Sequence, residues 1–171
     1  MRLCNFSLKG GVGRTTLALN LAGCYARDAS LRVLVNDRDP QGGACAFASL
    51  PDNEVIPEAD LYLVPTLLDG ASFLIFLRTV DVLEKKGKRY LPIANRANEK
   101  RAAHRRRLEH PKMSGAVLVR DRALFADRYE EGRTVFDANG RWARLAQEEI
   151  HALAVRVRDT LAAGAGRRAA A

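Results

Sequence analysis

Residues 9–16 read KGGVGRTT, and they join a short apolar run, RLCNFSL at residues 2–8, to a helix-forming stretch, TTLALNLAGCYA at residues 15–26. Glycines at these positions let successive backbone N–H groups turn inward and approach phosphate oxygens closely. A helix that begins near Thr15 adds the partial positive charge of its N-terminus. The sequence therefore predicts a strand, a phosphate-binding loop and a helix in succession. The alternative for the glycines alone is a turn that only joins a strand to a helix.

The side chains of this loop favour a nucleoside triphosphate with a magnesium ion. The Thr15 hydroxyl is placed to ligate Mg²⁺, and Thr16 can reach the α-phosphate. In the general pattern G-x-x-x-x-G-K-[ST] a lysine contacts the terminal phosphates, whereas this chain has Arg14 there. Arginine presents a planar fork instead of a compact ammonium, so its contact with phosphate differs. We expect ATP and Mg²⁺ as cofactors, with nucleotide contacts from Gly10, Gly11, Val12, Gly13, Arg14, Thr15 and Thr16.

The rest of the sequence alternates between strand and helix patterns. The run LRVLV at residues 31–35 is nearly continuous in apolar residues, as is typical of a parallel strand covered on both faces. Further strands are predicted over residues 61–67, 90–94 and 116–119. Helices are predicted over residues 71–84, 98–109 and 141–161. Repeated βα units predict an α/β fold with a doubly wound, mostly parallel sheet, in one domain over residues 1–163 with a disordered tail at 164–171.

Composition and charge indicate which kinds of partner, compartment and metal site fit the chain. The formal net charge is +8 at pH 7, which favours an anionic partner, although an arginine-rich composition that only keeps the chain soluble is the alternative. No run approaches the ~20 apolar residues that span a bilayer. Cys4, Cys24 and Cys45 are widely spaced and odd in number, which favours reduced core cysteines and a cytoplasmic protein. The three histidines have no zinc-ligand spacing with these cysteines.

Two motifs give the sequence a resemblance to a known family. KGGVGRTTLALNLA at residues 9–22 is similar to the phosphate loop of the ParA/MinD family of plasmid- and chromosome-partitioning ATPases, which usually reads KGGxGKTT. VLVNDRDPQGG at residues 33–43 resembles the second motif of that family, a strand that ends in D-x-D-P-Q. Further similarities follow at residues 59–65, 93–96 and 123–136. The resemblance implies a P-loop NTPase fold along nearly the whole chain.

The resemblance also implies roles for individual residues. Lys9 would cross the interface of an ATP-dependent homodimer and contact the partner's nucleotide, and Asp37 would orient the attacking water, so these two are the implied catalytic residues. Asp39 takes the second acidic position and joins Thr15 as an implied metal ligand. Asn95 matches an asparagine that contacts adenine. Taken without the resemblance, Asp37 and Asp39 also fit a polar loop that caps the next helix.

Two departures from the family pattern bear on catalysis. The first is Arg14 in place of the loop lysine. The second concerns a strand that ends in an aspartate, the Walker B position, which the family carries between the D-x-D-P-Q motif and the segment matched by residues 59–65. Only twenty residues separate Asp39 from Asp60, and a single crossover already needs at least ~10–12. We therefore expect a sheet that lacks one central strand, and very slow ATP hydrolysis.

Two basic runs point to a nucleic-acid partner. One lies at residues 85–89, and the other comprises Lys100, Arg101, Arg105, Arg106 and Arg107. In the resembled partition proteins such residues grip DNA without reading its sequence, which requires positive charge and no base contacts. The alternative is a solvated helix face.

The resemblance as a whole implies a ParA-like ATP-binding protein in plasmid or chromosome partition. Its ATP-dependent homodimer would bind nonspecific DNA, and a ParB-like or other centromere-binding protein would stimulate weak ATP hydrolysis. The alternative is a degenerate, non-hydrolysing nucleotide- or DNA-binding adaptor of the same fold, which Arg14 and the missing strand favour. The C-terminal LAAGAGRRAAA has no apolar face for a membrane surface, so no membrane partner is expected.

Overall fold

Four parallel strands form the sheet in the computed structural model, whose described residues are 1–35, 56 and 58–169. In spatial order the strands are β1 (Leu3–Asn5), β2 (Leu61–Leu67), β3 (Tyr90–Ala97) and β4 (Val117–Arg120). The α-helices among the described residues are α1 (Arg14–Ala26), α2 (Gly70–Lys85), α3 (Ala102–Leu108), α4 (Ala123–Glu130) and α5 (Arg141–Ala169). Every neighbouring pair of strands is parallel, as repeated βα units predict.

Helices cover both faces of this sheet. Side chains alternate along β2, so that Leu61 and Leu63 pack into one hydrophobic core and Tyr62 and Val64 pack into another. The first core is completed from α1 and α5 by Leu17, Leu21, Ile150, Leu153 and Val157. The second core is completed from α2 by Phe73, Phe76, Val80 and Leu83. Burial on both sides of the central strands confirms the predicted doubly wound α/β fold.

The predicted strand at residues 31–35 is wrong. These residues form no strand, and their apolar side chains are exposed, Leu34 to 89%. A parallel strand needs a neighbouring strand for its hydrogen bonds and helices over both faces. Within the described ranges β1 pairs with β2 alone, so no strand on the other side of β1 is present to receive LRVLV. Without a partner strand among the described residues, LRVLV stays exposed although its sequence has strand character.

The remaining elements differ from their predicted bounds by a few residues. The helix predicted over residues 98–109 begins only at Ala102, because Asn98 first forms a turn in which its Oδ1 accepts a hydrogen bond of 3.0 Å from the Lys100 amide. Helix α5 continues to Ala169, into the segment expected to be a disordered tail. None of the helices that the structure describes is long and apolar enough to cross a lipid bilayer.

Candidate functional site

The loop at residues 9–16 folds as a tight turn that ends at the first residue of α1. Gly11 and Gly13 have positive φ angles of 72° and 89°, a region that side chains disfavour. Gly13 is the N-cap of α1, and its carbonyl accepts a hydrogen bond of 3.0 Å from the Leu17 amide. Because glycine has no side chain that could cap the helix, an anion can take the place of the cap at the positive end of α1.

Asn95 fixes this loop from the neighbouring strand region. Its Nδ2 donates a hydrogen bond of 2.9 Å to the carbonyl oxygen of Val12, which is a buried residue. A Cβ atom added to Gly13 would lie 2.2 Å from the same Nδ2, so a larger residue at position 13 would displace the amide. Glycine at position 13 is therefore required by backbone angle and by close approach.

The end of β3 is irregular where it presents Asn95. Arg96 has a φ of 49°, which is the one positive value among the described residues other than glycine, and the register with β4 shifts between Asn95 and Ala97. Such a bulge re-aims a side chain at the rim of a sheet. The Asn95 Oδ1 also accepts a hydrogen bond of 3.0 Å from the Arg96 amide, and Asn95 is only 8% exposed. Both the Nδ2 and the Oδ1 of Asn95 thus have hydrogen-bond partners in the structure. The contact with adenine that the resemblance implies stays a prediction.

Lys9, at the start of the loop, reaches helix α2. Its Nζ donates a hydrogen bond of 2.5 Å to the Ser72 Oγ, and the Ser72 hydroxyl in turn donates one of 2.5 Å to Asp69 Oδ2. Asp69 is the N-cap of α2, since its Oδ1 accepts a hydrogen bond of 2.9 Å from the Ser72 amide. Burial raises the pKa of the Asp69 carboxyl, but the hydrogen bonds from Ser72 and the charge of Lys9 outweigh burial and leave the pKa lowered.

The remaining loop side chains lie at the first turn of α1. Thr15 is exposed, and Thr16 is half-buried, with its carbonyl oxygen accepting a hydrogen bond of 2.8 Å from Asn20 Nδ2. Arg14 is half-buried beside β1. Burial raises the pKa of the Cys4 thiol, and the Arg14 guanidinium opposes this effect, which requires its charge to lie near that strand. Thr15 is therefore the loop side chain that faces solvent from the start of α1.

The two implied acidic residues, Asp37 and Asp39, lie outside the described residues. Within the described ranges no three His, Cys, Asp or Glu side chains come together as a metal site. Of the two implied metal ligands, only Thr15 lies among the described residues. Of the two implied catalytic residues, only Lys9 lies among them.

The basic residues around α3 separate into two groups. Arg105 donates hydrogen bonds of 2.7 and 3.0 Å to the carbonyl oxygens of Glu99 and Lys100, and Arg107 donates one to the Leu68 carbonyl at the end of β2. These two side chains brace the local backbone. Lys100, Arg101 and Arg106 are exposed, and so is Arg105, whereas Arg107 is half-buried. Positive charge is therefore presented to solvent at this surface, although Arg105 and Arg107 are also hydrogen-bonded to the backbone.

Three polar residues at or behind the loop were missed by sequence reasoning. Ser72 and Asp69 have the D-x-x-S spacing of an N-cap pair, which could have been found from the sequence, whereas their contact with Lys9 depends on how α2 packs against the loop. Asn20 is buried, and its Oδ1 accepts a hydrogen bond of 2.9 Å from the Val135 amide. Nothing in its sequence context distinguishes Asn20 from an ordinary exposed helix residue.

Comparison with known proteins gives one family match. A family model described as the CobQ/CobB/MinD/ParA nucleotide binding domain matches residues 3–135. The matched range begins at the first residue of β1 and includes the loop, Ser72, Asn95 and α3. No curated protein matches the chain.

We predict that Asn95→Ala destabilises the protein by about 1–3 kcal/mol, because the buried carbonyl of Val12 loses its donor. The measurement is the free energy of unfolding from urea denaturation. Asn139→Ala, at an exposed position, is the matched control and is expected to stay within about 0.5 kcal/mol of the wild type. Equal stabilities of the two variants would show that the hydrogen bond does not hold the loop.

Proposed function

The chain belongs to the CobQ/CobB/MinD/ParA nucleotide-binding domain family, and on that premise we propose that it binds ATP and Mg²⁺ through the loop at residues 9–16. The observation that carries this proposal is the packing of Asn95 on Val12 and Gly13. It leaves a glycine backbone at the positive end of α1, where triphosphate oxygens can accept hydrogen bonds from successive N–H groups. A polar loop that served only as a connection would not require glycine at a point of such close approach.

Magnesium fits the chemistry of the same loop. Thr15 carries an exposed hydroxyl at the first turn of α1, and a hydroxyl at this position of a phosphate loop is a magnesium ligand. Asp39 is the second ligand that the resemblance implies. When bound, Mg²⁺ would neutralise negative charge on the phosphates. Arg14 supplies a further positive charge from the protein itself.

The fuller function that we propose is a ParA-like ATPase of plasmid or chromosome partition. Lys9 contacts the nucleotide of a partner subunit in an ATP-dependent homodimer, and Asp37 orients the attacking water. A ParB-like or other centromere-binding protein stimulates hydrolysis. Arg14 presents a planar fork where the related loops have a compact ammonium, so turnover is slow.

A second candidate function is a non-hydrolysing nucleotide- or DNA-binding adaptor with the same fold. It is favoured by the exposed segment at residues 31–35, which the family pattern places just before the acidic motif. If that segment is not held in the sheet, the carboxylates that follow it lack a rigid support for catalysis. Release of phosphate by the wild-type protein in the presence of Mg-ATP separates the ATPase from the adaptor.

Nonspecific DNA is the macromolecular partner that we propose for the basic surface at α3. Lys100, Arg101 and Arg106 are exposed there, and the chain carries a net charge of +8. Contacts of this kind neutralise phosphates and carry no sequence information. Dimerisation on ATP would join two weak basic surfaces into one stronger site.

We predict that Gly13→Ala weakens the binding of Mg-ATP at least about tenfold, since loss of one hydrogen bond to a charged group already costs about 1.5–3 kcal/mol. The added methyl group collides with Asn95 Nδ2 and moves the loop. The measurement is isothermal titration calorimetry. Gly87→Ala is the matched control, because Gly87 also has a positive φ of 63° but has open space around its Cβ position. Wild-type affinity in Gly13→Ala would refute the proposed site.

For DNA, we predict that binding weakens steeply with salt, with log K falling by about 0.9 per neutralised phosphate. A triple alanine variant of Lys100, Arg101 and Arg106 should weaken binding to two unrelated duplexes alike and flatten this slope. The measurement is fluorescence anisotropy across salt concentrations, with and without Mg-ATP.

The control for this experiment removes equal charge from α5, by alanine at the exposed residues Arg141, Arg144 and Arg158. Equal loss of affinity in the two triple variants would show that net charge, and not the surface at α3, binds DNA. Undetectable affinity at low salt would reject DNA as the partner. Binding that is indifferent to Mg-ATP would favour the adaptor.

A further inference from the structure

The loop is joined to helix α2 by two side chains on the same face of that helix. Ser72 Oγ accepts the hydrogen bond from Lys9 Nζ, and Thr79 Oγ1 accepts one of 3.4 Å from the Leu8 amide. Ser72 and Thr79 are seven residues apart, which is two helical turns, and both are buried. The start of the loop therefore lies along α2, and the Lys9 ammonium is drawn to the N-terminal turn of that helix.

This is an unfavourable place for a cation on electrostatic grounds. The N-terminus of a helix carries a partial positive charge, which repels an ammonium group. The Asp69 carboxylate offsets that repulsion, because it caps α2 and accepts a hydrogen bond from the Ser72 hydroxyl. Ser72 can then offer its lone pairs to Lys9. The position of Lys9 thus depends on a chain that runs from ammonium to hydroxyl to carboxylate.

The same ammonium is the group that contacts nucleotide phosphate in the proposed function. A triphosphate carries several negative charges, whereas Asp69 carries one and reaches Lys9 only through Ser72. Phosphate is therefore the stronger acceptor once it is present. Ser72 and phosphate compete for the same ammonium. Because the hydrogen bond to Ser72 has to break before Lys9 contacts phosphate, this hydrogen bond lowers the apparent affinity for nucleotide.

We propose that Ser72 and Asp69 are positioning residues that hold Lys9 on α2 in the nucleotide-free chain, and that nucleotide binding breaks the Lys9–Ser72 hydrogen bond. This inference rests on the proposed function, because it treats Lys9 as a ligand of nucleotide. Breaking the Lys9–Ser72 hydrogen bond makes nucleotide binding less favourable, an effect that neither the loop sequence nor the family match indicates. Lys9 is released when phosphate draws it away, whether that phosphate belongs to its own subunit or to a second copy of the chain.

Calorimetric titration of Mg-ATP into four full-length proteins tests the proposal: the wild type, Ser72→Ala, Lys9→Ala and the double variant. Ser72→Ala should bind ATP about tenfold more tightly, the factor expected for release of one hydrogen bond to a charged group. The gain should vanish when Lys9 is also replaced by alanine. Asp69→Asn keeps a capping side chain while removing the charge, so it should give a smaller gain in the same direction even if Ser72→Ala folds poorly.

A spectroscopic signature separates this role from a structural one. In ¹⁵N NMR of the lysine side chains, an ammonium signal that disappears in Lys9→Ala should be visible in the wild type at low temperature, because its hydrogen bond slows exchange with water. It should be lost in Ser72→Ala, and it should move to a different chemical shift when Mg-ATP is added to the wild type. Persistence of that signal in Ser72→Ala would overturn the proposal.

The outcomes also distinguish failure of this proposal from failure of the proposed function. If the wild type binds ATP and Ser72→Ala gives no gain, or a gain that remains without Lys9, the positioning role is overturned and nucleotide binding stands. If no variant binds ATP, the proposed function fails, and the positioning role for nucleotide fails with it.

Discussion

The hydrogen bond from Asn95 Nδ2 to the Val12 carbonyl is the contact on which the candidate site depends. It links the end of β3 to the loop that follows β1, although β2 lies between these strands in the sheet. Because the amide sits against Gly13, it fixes the loop where α1 begins and where the helix N-terminus is most positive. The bulge at Arg96 orients the Asn95 amide, so an irregularity at the end of β3 affects the shape of the loop that follows β1.

The two hydrophobic cores and the polar contacts at the strand ends have different roles around this contact. The two cores hold β2 and β3 rigidly, because helices cover both faces of each strand. Polar contacts are concentrated where the strands end, at Asn95, at the Asp69–Ser72 pair and at the Leu68 carbonyl that Arg107 braces. The start of α2 lies beside the loop, where Ser72 contacts Lys9, and Arg107 joins α3 to the end of β2. Such an arrangement is what a parallel sheet offers, since the carboxyl ends of its strands share one edge.

Sequence reasoning succeeded where local pattern and tertiary context agree. The strand over residues 61–67 and the helix over 15–26 form nearly as predicted, because buried apolar runs and a glycine loop leave few alternatives. The run at 31–35 failed because its strand character needs a neighbour that the described sheet does not have. The contact of Lys9 with Ser72 and that of Arg107 with the Leu68 carbonyl depend on distances between elements far apart in sequence, which no local pattern records.

We propose above all that the loop at residues 9–16 binds the phosphates of ATP through its backbone N–H groups. Hydrogen–deuterium exchange of the wild-type protein, with and without Mg-ATP, measures those groups directly. We expect slower exchange at residues 10–16 when Mg-ATP is added, together with little change along β4 and α4. Unchanged exchange across residues 10–16 at saturating Mg-ATP would contradict it.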